Sequence, residues 1–312
     1  MKFFLGVDGG QSGTTALIGD ATGRVLGEGE AGPCNHAAAG EGRARLERAI
    51  RESLSGACAA AGLDSAAVSF EAACFGMSGG PDDKRRILAE MVRAGRLVVV
   101  LDADIALTGA TAGGQGIVVI AGTGSIALGR NGEGRVARAG GWGYIFGDEG
   151  GAFDIVRQSL RAALRMEEGW GPETALRRML IDATATASVN QTQHLFYTPD
   201  WPRSRVAHLA PAVDEAARNS DAVARRILSQ AAQELALLVA AVRGQLWRPA
   251  ETVEVAYVGG VFQSLALLEH FRMLVEMEAG SRVIAPRFGP AEGALIEAYR
   301  AAGVAVQLQP RN

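Results

Sequence analysis

Residues 3–15 read FFLGVDGGQSGTT, an apolar run that ends in an acid and two glycines and is followed by hydroxyl side chains. An apolar run bounded by glycines predicts a buried strand and a tight turn, so we expect strands at Phe3–Val7 and Thr14–Ile18. Residues 116–130 repeat the pattern, with an apolar run, the turn Gly122-Thr123-Gly124 and a second strand. The order strand, glycine turn, strand therefore occurs once at the start of each half.

Periodicity predicts the remaining elements. Further strands are expected at Val25–Glu30, Val68–Phe75, Leu97–Leu101 and Val253–Val258, and helices at Glu41–Ala61, Asp82–Ala94, Asp104–Ala112, Gly150–Glu167, Pro172–Ile181, Asp221–Arg243, Leu265–Glu278 and Pro290–Ala302. Residues 183–205 show no clear periodicity. The pattern predicts a duplicated α/β fold with a cleft between its halves. We expect domains at 1–112 and 113–312, with the last helix, 290–302, packing back on the first.

Composition narrows the class of protein. The 312 residues carry 31 Lys and Arg against 34 Asp and Glu, so the basic surface that nucleic-acid binding requires is missing. The three cysteines are far apart, which suggests neither a disulfide framework nor a zinc site. The apolar stretch at the N-terminus is too short for a membrane span or a signal-peptide core. We therefore expect a cytoplasmic protein with no nucleic-acid or membrane partner.

The two glycine turns are candidates for phosphate binding, because glycine lets the backbone approach a ligand and Ser or Thr adds donors. The residues concerned are Gly9, Gly10, Ser12 and Thr14 in the first turn and Gly122, Thr123 and Gly124 in the second. Asp8 could hold a divalent ion through water. Each turn alone is equally explained as a hairpin whose glycines supply positive φ. Their equivalent placement in the two halves favours a nucleotide held by both. The only lysines, Lys2 and Lys84, follow neither turn, so a P-loop is excluded.

Asp102 follows the apolar strand Leu97–Leu101. A carboxylate at the end of a buried strand often points into a cleft, where a general base would lie. Asp102 could equally cap the helix that starts near Asp104, since Asp is a favoured N-cap residue. The pattern leaves both interpretations open.

Residues 140–151 read GGWGYIFGDEGG and suit a binding loop for a sugar or similar polyol, because flat rings and carboxylates stand among glycines. The alternative is a structural loop whose aromatic side chains fill the core. Gly259 and Gly260 follow a strand and open a helix, so their backbone could lie against the base and ribose of a nucleotide.

Taken in order, these motifs resemble the N-acetylglucosamine kinase branch of the BadF-type ATPase family, within the actin, Hsp70 and sugar-kinase superfamily. The segments that carry the resemblance are FFLGVDGGQSGTT, GPCNHA at 32–37, LDADIALTGA at 101–110, VIAGTGSIALG at 119–129, GGWGYIFGDEGGAF at 140–153 and AYVGGVFQS at 256–264. The resemblance implies an α/β fold of two ribonuclease H-like, or actin-like ATPase, domains with a nucleotide and sugar cleft between them.

The resemblance also implies roles for particular residues. Asp102 would take the proton from the sugar hydroxyl, and Asp8 would hold Mg²⁺ through water. The residues expected around the hexosamine are Asn35, Ser125, Gly141, Trp142, Gly143 and Asp148. Those expected around ATP are Gly9, Gly10, Ser12, Thr14, Gly122, Thr123 and Gly124 at the phosphates, and Gly259 and Gly260 at the adenosine.

The chain departs from the family pattern at two places. Gln11-Ser12 stands where the family's first phosphate motif usually has Gly-Gly-Thr, which keeps a hydroxyl but changes the local backbone. Gly151 stands where the family usually has Ser, which removes one hydrogen bond or helix cap. The implied reaction is transfer of the γ-phosphoryl group of ATP to the 6-hydroxyl of N-acetylglucosamine. The alternatives are a glucosamine kinase and, in a different class, an ATP-hydrolysing activator of a dehydratase or reductase. The resemblance leaves a homodimer open.

Overall fold

The computed structural model describes residues 1–10, 13–34, 42–79 and 82–309. Its strands are β1 (Phe3–Gly9), β2 (Thr14–Asp20), β3 (Val25–Ala31), β4 (Ala72–Met77), β5 (Leu97–Leu101), β6 (Gly116–Ala121), β7 (Ser125–Arg130), β8 (Val136–Gly140), β9 (Val253–Val258) and β10 (Ser281–Ile284). Its helices are α1 (Gly42–Ala60), α2 (Asp82–Met91), α3 (Asp102–Ala110), α4 (Ala152–Glu167), α5 (Leu176–Thr184), α6 (Val189–Leu195), α7 (Arg203–Ala207), α8 (Ala210–Arg218), α9 (Ala222–Leu246), α10 (Leu265–Glu276) and α11 (Pro290–Ala301).

The chain forms two compact units. The first combines Met1–Gly114 with Ala285–Asn312, and the second is Gln115–Ile284. The division expected after residue 112 thus falls at Gly114. The segment from Ala285 onward packs with the first unit; the sequence placed it within 113–312 but expected its last helix, 290–302, to pack back on the first domain.

The first unit is built on a mixed five-stranded sheet in the order β3-β2-β1-β4-β5. The strands β1, β2 and β3 form an antiparallel meander, and β4 and β5 continue from β1 in parallel. Helix α11 packs on one face so closely that a Cβ atom at Gly6 would lie 2.3 Å from the Leu295 nitrogen. Helix α1 packs equally closely on the meander, where a Cβ atom at Gly29 would lie 2.1 Å from the Ser53 carbonyl oxygen.

The second unit repeats this arrangement strand for strand. Its sheet has the order β8-β7-β6-β9-β10, with β6, β7 and β8 antiparallel and with β9 and β10 parallel to β6. The long helix α9 covers the β6–β8 meander and supplies much of the core, including Leu235 and Val239. Two sheets of one topology confirm the expected α/β class and its duplication. No helix in the described part of the chain has both the length and the apolar character needed to cross a membrane.

Several elements differ from the expectations. Strands β8 and β10 were not predicted. Residues 183–205, which showed no clear periodicity, contain α6 and the start of α7. Helix α3 begins at Asp102 rather than at residue 104. The expected helix after Gly260 is preceded by a short 3₁₀ turn, Gly260–Gln263.

Candidate functional site

The carboxyl edge of the first sheet brings Asp8 and Asp102 to the same end of three parallel strands. Asp8 pairs with Gly76 on β4, and Gly76 pairs with Val100 on β5. Asp102, the first residue of α3, therefore follows β5 two residues beyond the level of Asp8. The parallel pairing, rather than proximity in sequence, places the two carboxylates on one edge.

Negative charge is concentrated around Asp8. Burial raises the pKa of Asp8 to about 7, and the nearby carboxylates of Asp102 and Glu292 add to the increase. Glu292 lies in the first turn of α11, which packs on β1. Asp8 is half-buried, and a carboxyl with two acidic neighbours is stabilised in its charged form by a nearby cation, so the electrostatics at this edge favour a positive charge.

Asp102 is not the N-cap residue of α3. That position belongs to Leu101, and Asp102 lies one residue further on, inside the helix. Oδ1 of Asp102 accepts a hydrogen bond from the Ala103 N–H at 2.9 Å. The sequence suggested Asp102 as the N-cap residue of this helix, and the structure gives that position to Leu101. The Asp102 carboxylate nevertheless accepts a hydrogen bond from one N–H group of the first turn.

The β1–β2 turn is closed by a hydrogen bond from the Gly10 N–H to the Gly13 carbonyl at 2.9 Å. Neither Gly9 nor Gly10 has a positive φ. Gly9 instead lies in tight packing: a Cβ atom there would lie 2.6 Å from the Met77 sulfur and 2.7 Å from the Cys34 sulfur, so these side chains would have to move. The Thr14 hydroxyl donates to the Gly32 carbonyl at 2.8 Å, so its proton is already engaged. Two predicted ligands, Ser12 and Asn35, lie outside the described residues.

The second glycine turn is also closed by a backbone hydrogen bond, from the Gly122 N–H to the Gly124 carbonyl at 3.0 Å, and is one residue shorter than the first. This turn also caps α4, because the carbonyls of Gly122 and Thr123 accept hydrogen bonds from the N–H groups of Ala152 and Phe153. Backbone carbonyls therefore supply partners for two N–H groups that helix starts otherwise leave unpaired.

Gly151, the departure from the family pattern, is the N-cap residue of α4. A Cβ atom at this position would lie 2.8 Å from the Cα of Gly124. The absence of a side chain thus permits close contact with the turn, and the cap expected from a serine is replaced by the turn's own carbonyls.

Asp148 is held tightly beside the second turn. It is buried and has φ +64°, which is uncommon for a residue with a side chain. Its Oδ2 accepts a hydrogen bond from Nη1 of Arg203 at 3.1 Å, and a Cβ atom at Gly124 would overlap that same oxygen. The neighbouring Ser125 hydroxyl donates to the Glu149 carbonyl at 2.6 Å. The structure thus brings Ser125 and Asp148 together.

The aromatic part of the loop is exposed rather than packed in a core. Trp142 retains 66% of its exposure, with the Arg138 guanidinium 4.7 Å from its ring centre. Gly141 and Gly143 flank it with φ of +72° and +79°. Tyr144 is partly anchored, since its carbonyl accepts a hydrogen bond from Arg157 at 3.2 Å. An exposed indole on a glycine-bracketed turn fits a ligand-binding loop better than a core-filling one.

Gly259 and Gly260 lie at the carboxyl end of β9, next to the end of β6, because the two strands are parallel neighbours. Gly259 has φ +112°, and a Cβ atom there would lie 2.3 Å from the Ala121 carbonyl oxygen. A Cβ atom at Gly260 would meet nothing within 4 Å. The predicted adenosine motif therefore adjoins the second glycine turn and has open space on one side.

The predicted residues thus fall into two groups. Asp8, Gly9, Gly10, Thr14 and Asp102 lie together in the first unit, and Gly122, Thr123, Gly124, Ser125, Gly141, Trp142, Gly143, Asp148, Gly259 and Gly260 lie in the second. Sequence reasoning missed Glu292 and Arg203. The position of Glu292 after Pro290 marks only a helix start, and Arg203 lies in the aperiodic stretch, so neither had a local signal.

The chain thus has two α/β units of one sheet topology, each of which opens on a glycine turn. The model of the BadF/BadG/BcrA/BcrD ATPase family matches residues 5–298, and the chain belongs to that family. The resemblance inferred from the motifs is confirmed.

Two curated relatives that match nearly the whole chain are sugar kinases. The chain is 34% identical over 306 residues to an N-acetylmuramic acid/N-acetylglucosamine kinase of Clostridium acetobutylicum, covering 95% of this chain and 98% of that one. It is 28% identical to an N-acetyl-D-glucosamine kinase of Dictyostelium discoideum, covering 95% and 97%. A structural-genomics target from Chromobacterium violaceum, assigned as an N-acetylglucosamine kinase, is 27% identical with a TM-score of 0.77, covering 95% and 98%.

Proposed function

We propose that this chain transfers the γ-phosphoryl group of ATP to the 6-hydroxyl of N-acetylglucosamine. The broader class, an ATP-dependent amino-sugar kinase, is confirmed by the ATPase family and by two sugar-kinase relatives that each match 95% of the chain. The hydroxyl, the acetyl group and the residue roles are the proposed part.

The observation that carries the proposal is that Asp8 and Asp102 lie at the same edge of the first sheet, at the carboxyl ends of β1 and β5. Phosphoryl transfer to an alcohol needs a group that accepts the hydroxyl proton and a means of balancing phosphate charge. Asp102 serves as the base, and Asp8 lies where a cation is favoured. Asp102 would thus accept the hydroxyl proton, and Asp8 would help to hold the cation that balances the phosphate charge.

Mg²⁺ is the proposed cation. The described residues contain no group of three or more His, Cys, Asp or Glu that could hold a metal directly. The acidic surroundings of Asp8 nevertheless suit a hydrated ion held through water, because Mg²⁺ usually keeps several of its waters. When bound with ATP, the ion would neutralise phosphate charge. The chain's own contribution is the Asp8 carboxylate and the backbone of the glycine turns.

The sugar is proposed to bind on the second unit at Asp148 and Trp142. The Asp148 carboxylate can accept hydrogen bonds from sugar hydroxyls, and the Trp142 ring can cover an apolar sugar face. Gly141 and Gly143 let the loop turn beside the indole. The Ser125 hydroxyl already donates its proton to the Glu149 carbonyl, so it is less available than Asp148 for a hydrogen bond with the sugar. The predicted contact at Asn35 stays a prediction.

The deciding experiment measures sugar-dependent ADP release with N-acetylglucosamine, glucosamine, N-acetylmannosamine, N-acetylmuramic acid and glucose. N-acetylmuramic acid is included because the Clostridium relative is named for it. We expect N-acetylglucosamine to give the highest kcat/KM. Its 6-deoxy analogue should bind and give no sugar phosphate. Phosphorylation of the 6-deoxy analogue would exclude the 6-hydroxyl, and a preference for glucosamine would select that alternative.

The activator alternative makes a different prediction. Such activators hold a [4Fe–4S] cluster through cysteine thiolates. Cys34, Cys58 and Cys74 are all buried, and the glycine loop is followed by Gly151 and Ala152. We therefore expect purified protein to be colourless and to hydrolyse ATP only when a sugar is present. Stoichiometric iron, or ATP hydrolysis without sugar phosphate, would favour the activator class.

A further inference from the structure

We infer that Arg203 is a positioning residue for the sugar site and that the segment carrying α7 exists in part to deliver it. This inference rests on the proposed function, because Asp148 is the sugar ligand through which Arg203 acts. Arg203 opens α7, in the part of the sequence that showed no periodicity. Its role follows from what its guanidinium contacts.

Arg203 makes two contacts with the proposed sugar loop. Its Nη1 donates to Oδ2 of Asp148 at 3.1 Å, across 55 residues of sequence. Its guanidinium carbon also lies 5.4 Å from the ring centre of Tyr144. The side chains of Arg203 and Asp148 are 26% and 10% exposed, so this pair is largely shielded from water. Shielded ion pairs are screened less than surface pairs, which makes this contact a firm constraint.

The constraint matters because Asp148 has an uncommon backbone conformation. A positive φ of +64° is unfavourable for a residue with a side chain, so the conformation is kept only where surrounding contacts hold it. The Gly151 N–H donates to the Asp148 carbonyl at 3.1 Å, the Arg203 guanidinium holds Oδ2, and the missing side chain of Gly124 leaves room for that oxygen. The Ser125 N–H lies 3.5 Å from Oδ1, which is long for a hydrogen bond. Oδ1 is therefore the less engaged oxygen and has more acceptor capacity left for a ligand than Oδ2.

This arrangement specifies the kind of ligand group. A carboxylate accepts hydrogen bonds and donates none, so the group it meets must be a donor, as a sugar hydroxyl is. Arg203 occupies Oδ2 and thereby fixes the direction of Oδ1. Without Arg203 the Asp148 side chain can rotate, so sugar affinity should fall. The adjacent turn at Gly124 is closed by its own backbone hydrogen bond to Gly122, so ATP binding should change much less.

The test compares Arg203→Gln with Arg205→Gln. Arg205 is a matched control on the same helix, where it lies over the Trp201 ring and donates to the Asp200 carbonyl. Wild-type phosphorylation of N-acetylglucosamine is measured first, so that a failure of the proposed function is recognised separately. We then expect Arg203→Gln to raise the sugar KM about tenfold, with the ATP KM and the melting temperature nearly unchanged. Arg205→Gln should leave the sugar KM within about twofold.

Two further variants make the result decisive. Arg203→Lys should recover part of the sugar affinity, since a lysine can replace a contact made through one nitrogen. Combining Arg203→Gln with Asp148→Asn should be no worse than Asp148→Asn alone, because Arg203 acts through Asp148. Equal effects of Arg203→Gln and Arg205→Gln, or additive losses in the double variant, would overturn the inference. So would a parallel rise in both KM values with a lower melting temperature.

Discussion

The Asp104 carboxylate accepts a hydrogen bond from the Leu101 N–H at 3.1 Å and so closes the first turn of α3 back onto its N-cap residue. Asp104 thus stabilises the start of α3, a role for which the sequence pattern had suggested Asp102. The two acids lie two residues apart and have different partners. Substitutions at the two positions should therefore have different consequences.

We expect Asp102→Asn to lower kcat by about 10²–10⁴ while the protein stays folded and binds ATP, because the amide cannot accept the hydroxyl proton. Asp104→Asn is the control: its amide oxygen can still accept the Leu101 N–H, so kcat should stay near wild type. Steady-state kinetics and a melting curve for both variants provide the measurement. More than about a tenth of wild-type kcat in Asp102→Asn would remove the base assignment. An inactive Asp104→Asn would show that the motif is misaligned by two residues.

Asp8 should make stability depend on pH in an unusual direction. Its pKa is raised from 3.8 to about 7, first by burial and then by Asp102 and Glu292. Between these pH values the unfolded chain has lost the proton and the folded chain keeps it, so the folded state loses stability as pH rises. Above about pH 7 the loss is complete. Since one pKa unit corresponds to about 1.4 kcal/mol, the total is at most about 4 kcal/mol.

Asp8→Asn should therefore abolish activity yet raise the free energy of unfolding in EDTA, with a larger gain at pH 8 than at pH 5. The control is Asp20→Asn in the same sheet. Burial opposes ionisation of Asp20, but hydrogen bonds from Thr22 and Arg24 lower its pKa overall. Its contribution has the opposite sign, present near neutral pH and lost in acid. Urea unfolding at the two pH values gives both free energies, and a gain for Asp8→Asn that does not grow with pH would contradict the assignment.

The fold was predictable where the signal is local. Strands β6 and β7 follow from an apolar run and its glycine turn. Strand β8, with the sequence VARAG, is short, composed of small residues and interrupted by Arg138, and it forms because β7 pairs with it. Strand β10, with the sequence SRVI, has four residues and pairs in parallel with β9, across α10. Parallel partners that are distant in sequence leave no local pattern.

The candidate site was predictable to a similar extent. Both glycine turns and Asp102 could be predicted, because glycines and acids that follow a strand form a pattern within a few neighbouring residues. Arg203 reaches Asp148 from 55 residues away, and Glu292 reaches Asp8 through the packing of α11 on β1. The sequence also could not show why residue 151 is a glycine, because the close contact that leaves no room for a side chain is with Gly124, which is distant in sequence.

Gly259 and Gly260 offer adjacent substitutions with different expected effects. Gly259→Ala should lower the melting temperature, because a Cβ atom would overlap the Ala121 carbonyl and φ is +112°. Gly260→Val should leave stability nearly unchanged, since a Cβ atom meets nothing there, and it should raise the ATP KM if adenosine occupies that space. The sugar KM is the internal control. An unchanged ATP KM in a folded Gly260→Val variant would exclude adenosine from this turn.

Trp142 should report sugar binding by fluorescence. Its ring is 66% exposed, with Arg138 on one face, so a sugar that covers the indole would move it from water to a less polar surface. We expect N-acetylglucosamine to shift the emission to shorter wavelength, with a saturation midpoint that matches the kinetic KM. Trp142→Phe should lose most of this change.

The chain provides a closely matched control for that experiment in Trp170. This ring is 64% exposed and lies 4.8 Å from the Arg165 guanidinium, so it has nearly the same exposure and the same kind of cationic neighbour as Trp142. Because Trp170 lies outside the proposed sugar loop, Trp170→Phe should keep the full sugar-induced shift. The buried Trp201 is 8% exposed and has little water to lose. A shift that survives in Trp142→Phe and disappears in Trp170→Phe would place the sugar response after α4 and reject the assignment of residues 140–151 to the sugar.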